Sequence, residues 1–169
     1  MRVFHVSEQA DIKKFVPRIP MNKSVGVVWA VDELGLNNFF TPRSCPRVVY
    51  RPDDKTIQAD IERFFSSSAR HCVAIEHGWY KRIAEISLYL YEFDSPNFYL
   101  NDEGPRYFVS EQTEIPISVT RIDDMFERMF ERNIEVRILN NLWNLGDAVQ
   151  KSTLLWSLRC MANAKPREP

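Results

Sequence analysis

The sequence has little that would commit it to a membrane, a disulfide framework or a nucleic-acid surface. No apolar run approaches the roughly 20 residues needed to cross a bilayer. The start of the chain carries Arg2 but no apolar stretch behind it, so a cytoplasmic location without membrane contact is expected. Cysteine is scarce: Cys45, Cys72 and Cys160 are scattered, odd in number and never at CxxC spacing, which suits reduced thiols and argues against structural zinc. Cys45, in a basic loop, is the thiol best placed for reactivity. Charge is nearly balanced, with Lys+Arg at 22 and Asp+Glu at 23 for a net charge of -1. Such a chain has no global field to recruit nucleic acid, so no nucleic-acid partner is expected. Linker-like tracts are absent too. At 169 residues and 44% hydrophobic, the chain reads as one well-cored domain over residues 1–163, with residues 164–169 a frayed tail.

What is present is organised around residues 24–51, beginning at Ser24. Val25 to Val31 forms a continuous β-branched run, which fits a strand covered on both faces near the middle of its sheet. A short helix is expected over 32–40, then a Pro/Arg elbow over 41–47, then a second strand over 48–50. The ends of these strands would mark a cleft.

Taken in order, residues 3–7 have strand composition and 8–15 suit a turn or two of helix, closed by Pro17 and Pro20. Apolar spacing at Ile57, Ile61, Phe64 and Phe65 predicts a helix over 56–65. A strand is expected at 71–77, a short helix at 79–85 and an aromatic-rich strand at 87–93. Residues 94–105 read as a loop, 106–110 as a strand, and 115–119 as an extended segment that Pro116 pushes toward an edge. Ile122, Met125, Phe126, Met129 and Phe130 give helical spacing over 120–132. Alternation predicts a strand over 134–139, and a long helix is expected over 145–161. Short strands with interspersed helices but no regular strand-helix alternation argue for an α+β fold with a mixed, mostly antiparallel sheet. A doubly wound sheet is the second choice.

Three constellations bear on chemistry. His71, Glu76 and His77 suggest a metal, but on a strand the two histidines lie about 20 Å apart, too far to share an ion bound at about 2 Å. No metal is expected there. Arg43, Arg47 and Arg51 recur at every fourth residue through a segment held by Pro42 and Pro46, and guanidinium forks on stiff backbone suit phosphate or carboxylate. The same arginines could instead pair with Asp32, Glu33, Asp53 and Asp54 along a solvated edge. His5, alone on the first strand, either points into a cleft beside the central strand or is a satisfied core histidine.

The order Phe4-His5-Val6-Ser7, then Val27-Val28-Trp29-Ala30-Val31 and a helix, then Leu88 to Phe93, then Tyr107-Phe108-Val109-Ser110-Glu111 resembles a small ADP-ribosyltransferase-like domain. The nearest outline is that of the rifampicin ADP-ribosyltransferase group. The resemblance spans Phe4 to Val119. It implies that His5 holds the ribose of NAD, with Ser7 beside it, and that Trp29 stacks on nicotinamide. Asp102, Glu111 or Glu114 would supply the carboxylate. A carboxylate stabilises the oxocarbenium-like centre formed when the nicotinamide bond breaks, while an aromatic face excludes water. Val6-Ser7 stands where that group has Gly-Thr, and Trp29 where it has Tyr. The chain as a whole also resembles a bacterial family, common in bacilli, classed as a domain of unknown function. The reading from another class is a non-catalytic module that uses the Pro/Arg elbow to bind a phosphate-bearing molecule or a partner protein.

Overall fold

The structure is a computed structural model that describes residues 1–19 and 25–168. Pro20 and Ser24, to which the sequence reading gave roles, and Pro169 of the tail lie outside the described residues. In chain order the strands are β1 (Arg2–Ser7), β2 (Val28–Val31), β3 (Arg47–Arg51), β4 (Cys72–Glu76), β5 (Leu88–Asp94), β6 (Tyr99–Asp102), β7 (Tyr107–Ser110), β8 (Ser118–Ile122), β9 (Glu135–Leu139) and β10 (Leu155–Arg159). The helices are α1 (Gln58–Phe64), α2 (Tyr80–Glu85), α3 (Met125–Glu131) and α4 (Trp143–Gln150). This is α+β, with mixed and mostly antiparallel pairing as expected.

The chain divides into two compact units, Met1–Phe39 with Ser87–Asp123 and Phe40–Ile86 with Asp124–Pro169, each with its own sheet. The division interleaves segments distant in sequence, so no single point along the chain separates one from the other. That is why composition showed no boundary.

In the first unit six strands run in the order β6-β7-β2-β1-β5-β8, all antiparallel. β2 lies third of six with Val28, Ala30 and Val31 buried, but it is shorter than the strand expected over 25–31: Val25 is exposed before it and Trp29 within it is half-buried. One sheet face carries Val3, Val28, Ala30, Tyr91, Phe93 and Phe108 in a single apolar cluster, against which Ile12 and Phe15 pack. The expected helix at 8–15 is absent. Its residues run as an irregular cover whose main chain is tied to the sheet through Tyr91, whose hydroxyl donates to the Gln9 carbonyl at 2.6 Å and accepts from the Ile12 amide at 3.1 Å. The stretch 94–105, read as a loop, holds β6, whose four residues are all exposed and so lack a one-face-buried pattern.

In the second unit four strands run β10-β3-β4-β9, with β4 and β9 parallel and the rest antiparallel. Val48, Tyr50, Phe64, Phe65, Cys72, Ala74, Leu142, Val149 and Leu154 form its core. The long helix expected over 145–161 is two elements. α4 ends at Gln150, the Ser152 hydroxyl donates back to the Val149 carbonyl at 2.6 Å, and β10 then pairs with β3 from Leu155↔Arg51 to Arg159↔Arg47. The helix expected over 120–132 likewise starts late: residues up to Ile122 belong to β8, and Asp124 at φ 54° breaks the chain before α3. The stretch expected to fray is bound. Lys165 N–H donates to both Glu76 carboxylate oxygens at 3.1 and 3.2 Å, and the Lys165 carbonyl accepts from Trp143 Nε1 at 2.8 Å.

Candidate functional site

His5 stands where β1 and β2 part. The two strands are opposed at one position, Phe4↔Val31, whereas β1 and β5 are opposed at every residue from Arg2 to Ser7. Beyond that single pair the Trp29 carbonyl accepts from the His5 ring, with Nδ1 at 2.8 Å. A carbonyl cannot donate, so Nδ1 carries the proton in this contact. The ring also meets Phe15, with centroids 4.9 Å apart and planes at 57°. His5, Ser7 and Trp29 are all half-buried.

Strand alternation separates the two aromatic candidates. His5 is opposite Tyr91, so it starts from the face that carries the Tyr91 and Phe93 core. Trp29 is opposite Val109, two residues from Val31, which is opposite Phe4, and so it starts from the other face. There the indole meets Tyr107 edge-on at 5.5 Å. Tyr99 is opposite Val109 as well and shares that face. His5 and Trp29 are therefore joined through ring and main chain, and their side chains depart in opposite directions.

The three acids differ in what already occupies them. Asp102 Oδ1 accepts from the Gly104 amide at 3.1 Å, closing its own exposed turn. Glu114 is 5% exposed, and its Oε1 accepts from the Ser110 hydroxyl at 2.6 Å and from Asn97 Nδ2 at 3.1 Å, while its main chain pairs with Phe15. That is the environment of a buried structural carboxylate. Glu111 is exposed at the end of β7 and accepts at Oε1 from the Tyr99 hydroxyl at 3.0 Å. The bond holds Tyr99 in its protonated form, raising its pKa. Tyr99 was missed in sequence because its strand is exposed throughout. Glu111 is thus the acid that combines solvent access with a fixed orientation.

The second unit contains the elbow. Arg43 is exposed, whereas Arg47 is buried at 3% exposure and donates from Nη1 to the Cys45 carbonyl at 3.0 Å. The two arginines therefore do not form a matched pair at the surface. Burial pushes the Cys45 thiol up to about 12, with the Arg47 charge opposing the shift. Of the histidine pair weighed for a metal, His71 is buried and His77 exposed, at opposite ends of β4. Among the described residues no group of three or more His, Cys, Asp or Glu could hold a metal ion, and no helix is long and apolar enough to cross a membrane.

No curated protein and no solved structure matches the chain. A comparison with protein families does find a match, and it runs through both units, over residues 4–164. The chain belongs to that family, DUF6886, a family of unknown function.

Proposed function

We propose that the first unit binds a nucleotide-like small molecule at the parting of β1 and β2, and that the ligand is NAD, in an ADP-ribosyltransferase-like reaction. The observation that carries this reading is the His5 Nδ1 contact with the Trp29 carbonyl at 2.8 Å. It fixes the ring's orientation at the edge of the parting, where the imidazole would position a ribose. Ser7, two residues along β1, shares the His5 face and adds a hydroxyl. From the other face Trp29 supplies an aromatic surface, and Glu111, oriented by Tyr99, is the carboxylate that would stabilise positive charge developing on the ribose, which requires the ligand to thread the parting of β1 and β2. The test is calorimetric and kinetic. NAD at a hundred times its dissociation constant should stabilise the protein by about 2.7 kcal/mol, visible as a thermal shift. His5→Ala should lower NAD turnover at least about tenfold, or roughly 1.4 kcal/mol of barrier. Absence of any shift at millimolar NAD overturns the reading.

The opposed departure of the His5 and Trp29 side chains favours a second reading, a non-catalytic module that binds an anionic ligand through the elbow. The elbow is stiff: the Cys45 amide closes onto the Pro42 carbonyl at 3.0 Å, and Asn163 Nδ2 holds the Ser44 carbonyl at 2.8 Å. It presents Arg43 outward. Titration with inorganic pyrophosphate, comparing wild type with Arg43→Ala, separates the readings. Pyrophosphate binding lost in Arg43→Ala, without an NAD shift in the wild type, favours the module.

A further inference from the structure

Cys160 reaches the elbow that holds Cys45, although the two are far apart in sequence: its Sγ contacts the Arg43 carbonyl, two residues before Cys45. The β3–β10 ladder ends at Arg47↔Arg159, and the chain turns immediately after it at Cys160. Cys160 Sγ donates to the Arg43 carbonyl at 3.2 Å and Asn163 Nδ2 to the Ser44 carbonyl at 2.8 Å, so the 160–163 segment grips the residues immediately before Cys45. Cys160 is one residue beyond its ladder pair and Cys45 two beyond its own. The left-handed turn at Cys160 takes it out of the strand geometry of β10, and it lies near enough to Cys45 for its charge to act on the Cys45 thiol.

The thiols differ in access. Cys45 is fully buried, and its Sγ lies 3.5 Å from the Pro46 carbonyl. Cys160 is half-exposed and sits at φ 54°, a left-handed conformation uncommon for a residue with a side chain. We propose that Cys160 and Cys45 are a peroxide-responsive pair, in which Cys160 is oxidised first and Cys45 resolves it to an intramolecular disulfide.

The chemistry balances with hydrogen peroxide as oxidant. The Cys160 thiolate attacks one peroxide oxygen, the O–O bond breaks, and hydroxide leaves to give Cys160 sulfenic acid. The Cys45 sulfur then attacks the Cys160 sulfur. The S–O bond breaks, and the hydroxyl leaves with the Cys45 proton as water. Both thiols have lost one electron each, and peroxide has been reduced to two waters. Burial keeps Cys45 protonated and shielded from peroxide, which makes Cys160 the point of entry and makes the second step faster at higher pH.

The test uses wild-type protein treated with hydrogen peroxide, alkylated without reductant and digested. The expected product is a cross-linked peptide pair joining Cys45 to Cys160, two hydrogens lighter than the separate thiols and reversed by dithiothreitol. Cys45→Ala should instead leave a Cys160 sulfenic acid that dimedone traps. A wild-type protein that accumulates Cys160 sulfinic acid, joins Cys160 to Cys160 between chains, or leaves Cys160 reduced overturns the proposal. Because the decisive reading is on wild type, the behaviour of a buried-site variant cannot obscure it.

Discussion

Arg106 and Asp32 lock the end of β2 to the start of β7. Arg106 Nε donates to Asp32 Oδ2 at 2.7 Å and Nη2 donates to the same oxygen, while Asp32 Oδ1 accepts from the Gly35 amide at 2.9 Å. The carboxylate raises the Arg106 pKa, and the pair is only partly exposed. Asp32 immediately follows β2, and Arg106, at φ 61°, immediately precedes β7, so the ion pair sets the start of the ladder between the strand that bears Trp29 and its neighbour.

Asp32→Ala should therefore destabilise the protein by about 2 kcal/mol, since it leaves a half-buried guanidinium and a turn amide without their acceptor. Asp32→Asn should recover part of that loss, because its amide oxygen can still accept from Gly35. Urea midpoints of the three proteins measure the effect, and equal midpoints would show the pair to be energetically idle.

Gly35 makes a second, independent claim on the same turn. A Cβ there would lie 2.9 Å from Arg106 Cβ, 3.0 Å from the Pro105 carbonyl oxygen and 3.0 Å from Val31 Cβ, closer than such atoms approach without displacement. Gly35→Ala should cost about 1–3 kcal/mol despite the better helical propensity of alanine. It should also weaken the NAD binding proposed at Trp29, since Val31 belongs to the same strand. Thermal melts and ligand titration on one preparation check both.

How much of this could be read in advance follows from where local pattern decides. β1, β4, β5, β7 and β9 were legible to within a residue or two, because alternation or a continuous apolar run marks a strand with at least one buried face. Residues 145–161 were not. Leu154, Leu155, Trp156 and Leu158 suit either period, and the choice of strand is made by pairing with β3, about a hundred residues earlier. The cover at 8–15 failed similarly, because its structure comes from Phe15, Ile12 and the Tyr91 hydroxyl and not from its own propensity. Of the candidate site, the sequence offered His5, Trp29 and the acids as types in chain order. The bond from His5 to the Trp29 main chain was not legible, since no sequence pattern encodes a side chain filling a gap in a ladder.

The C-terminal stretch yields a third prediction. Lys165 N–H is the donor that both oxygens of Glu76 share, and Glu76 is 2% exposed. The strap is reinforced by Asn141 Nδ2 to the Pro166 carbonyl at 2.8 Å and by Arg167, whose guanidinium lies 4.3 Å over the Trp143 ring and pairs with Asp147. Removing residues 164–169 should lower stability by about 2–4 kcal/mol, because a buried carboxylate loses a partner along with the packing above it. In the shortened chain Glu76→Gln should regain part of the loss, an uncharged amide being less costly to leave unpaired. If the shortened chain melts with the full-length protein, the strap is peripheral.

The last prediction concerns pH. His71 is buried at the start of β4, and burial together with the charges of Arg51 and Arg132 pushes its pKa from 6.5 down to about 3. In the folded protein the imidazole is thus neutral throughout the range where an unfolded chain would protonate it. A depressed folded pKa means that the unfolded state binds the proton first. The corresponding stability is complete above about pH 6.5 and is lost as pH falls from there toward the folded value near 3. One such group imposes a slope of up to about 1.4 kcal/mol per pH unit in that window. Urea unfolding between pH 7.5 and 5, above the range where most carboxylates titrate, should show this slope in the wild type. His71→Gln, which cannot bind the proton, should be less stable at pH 7.5 but flatter with pH, so that the two curves converge on acidification. Parallel curves would mean that His71 takes up its proton as readily in the folded protein as in the unfolded chain.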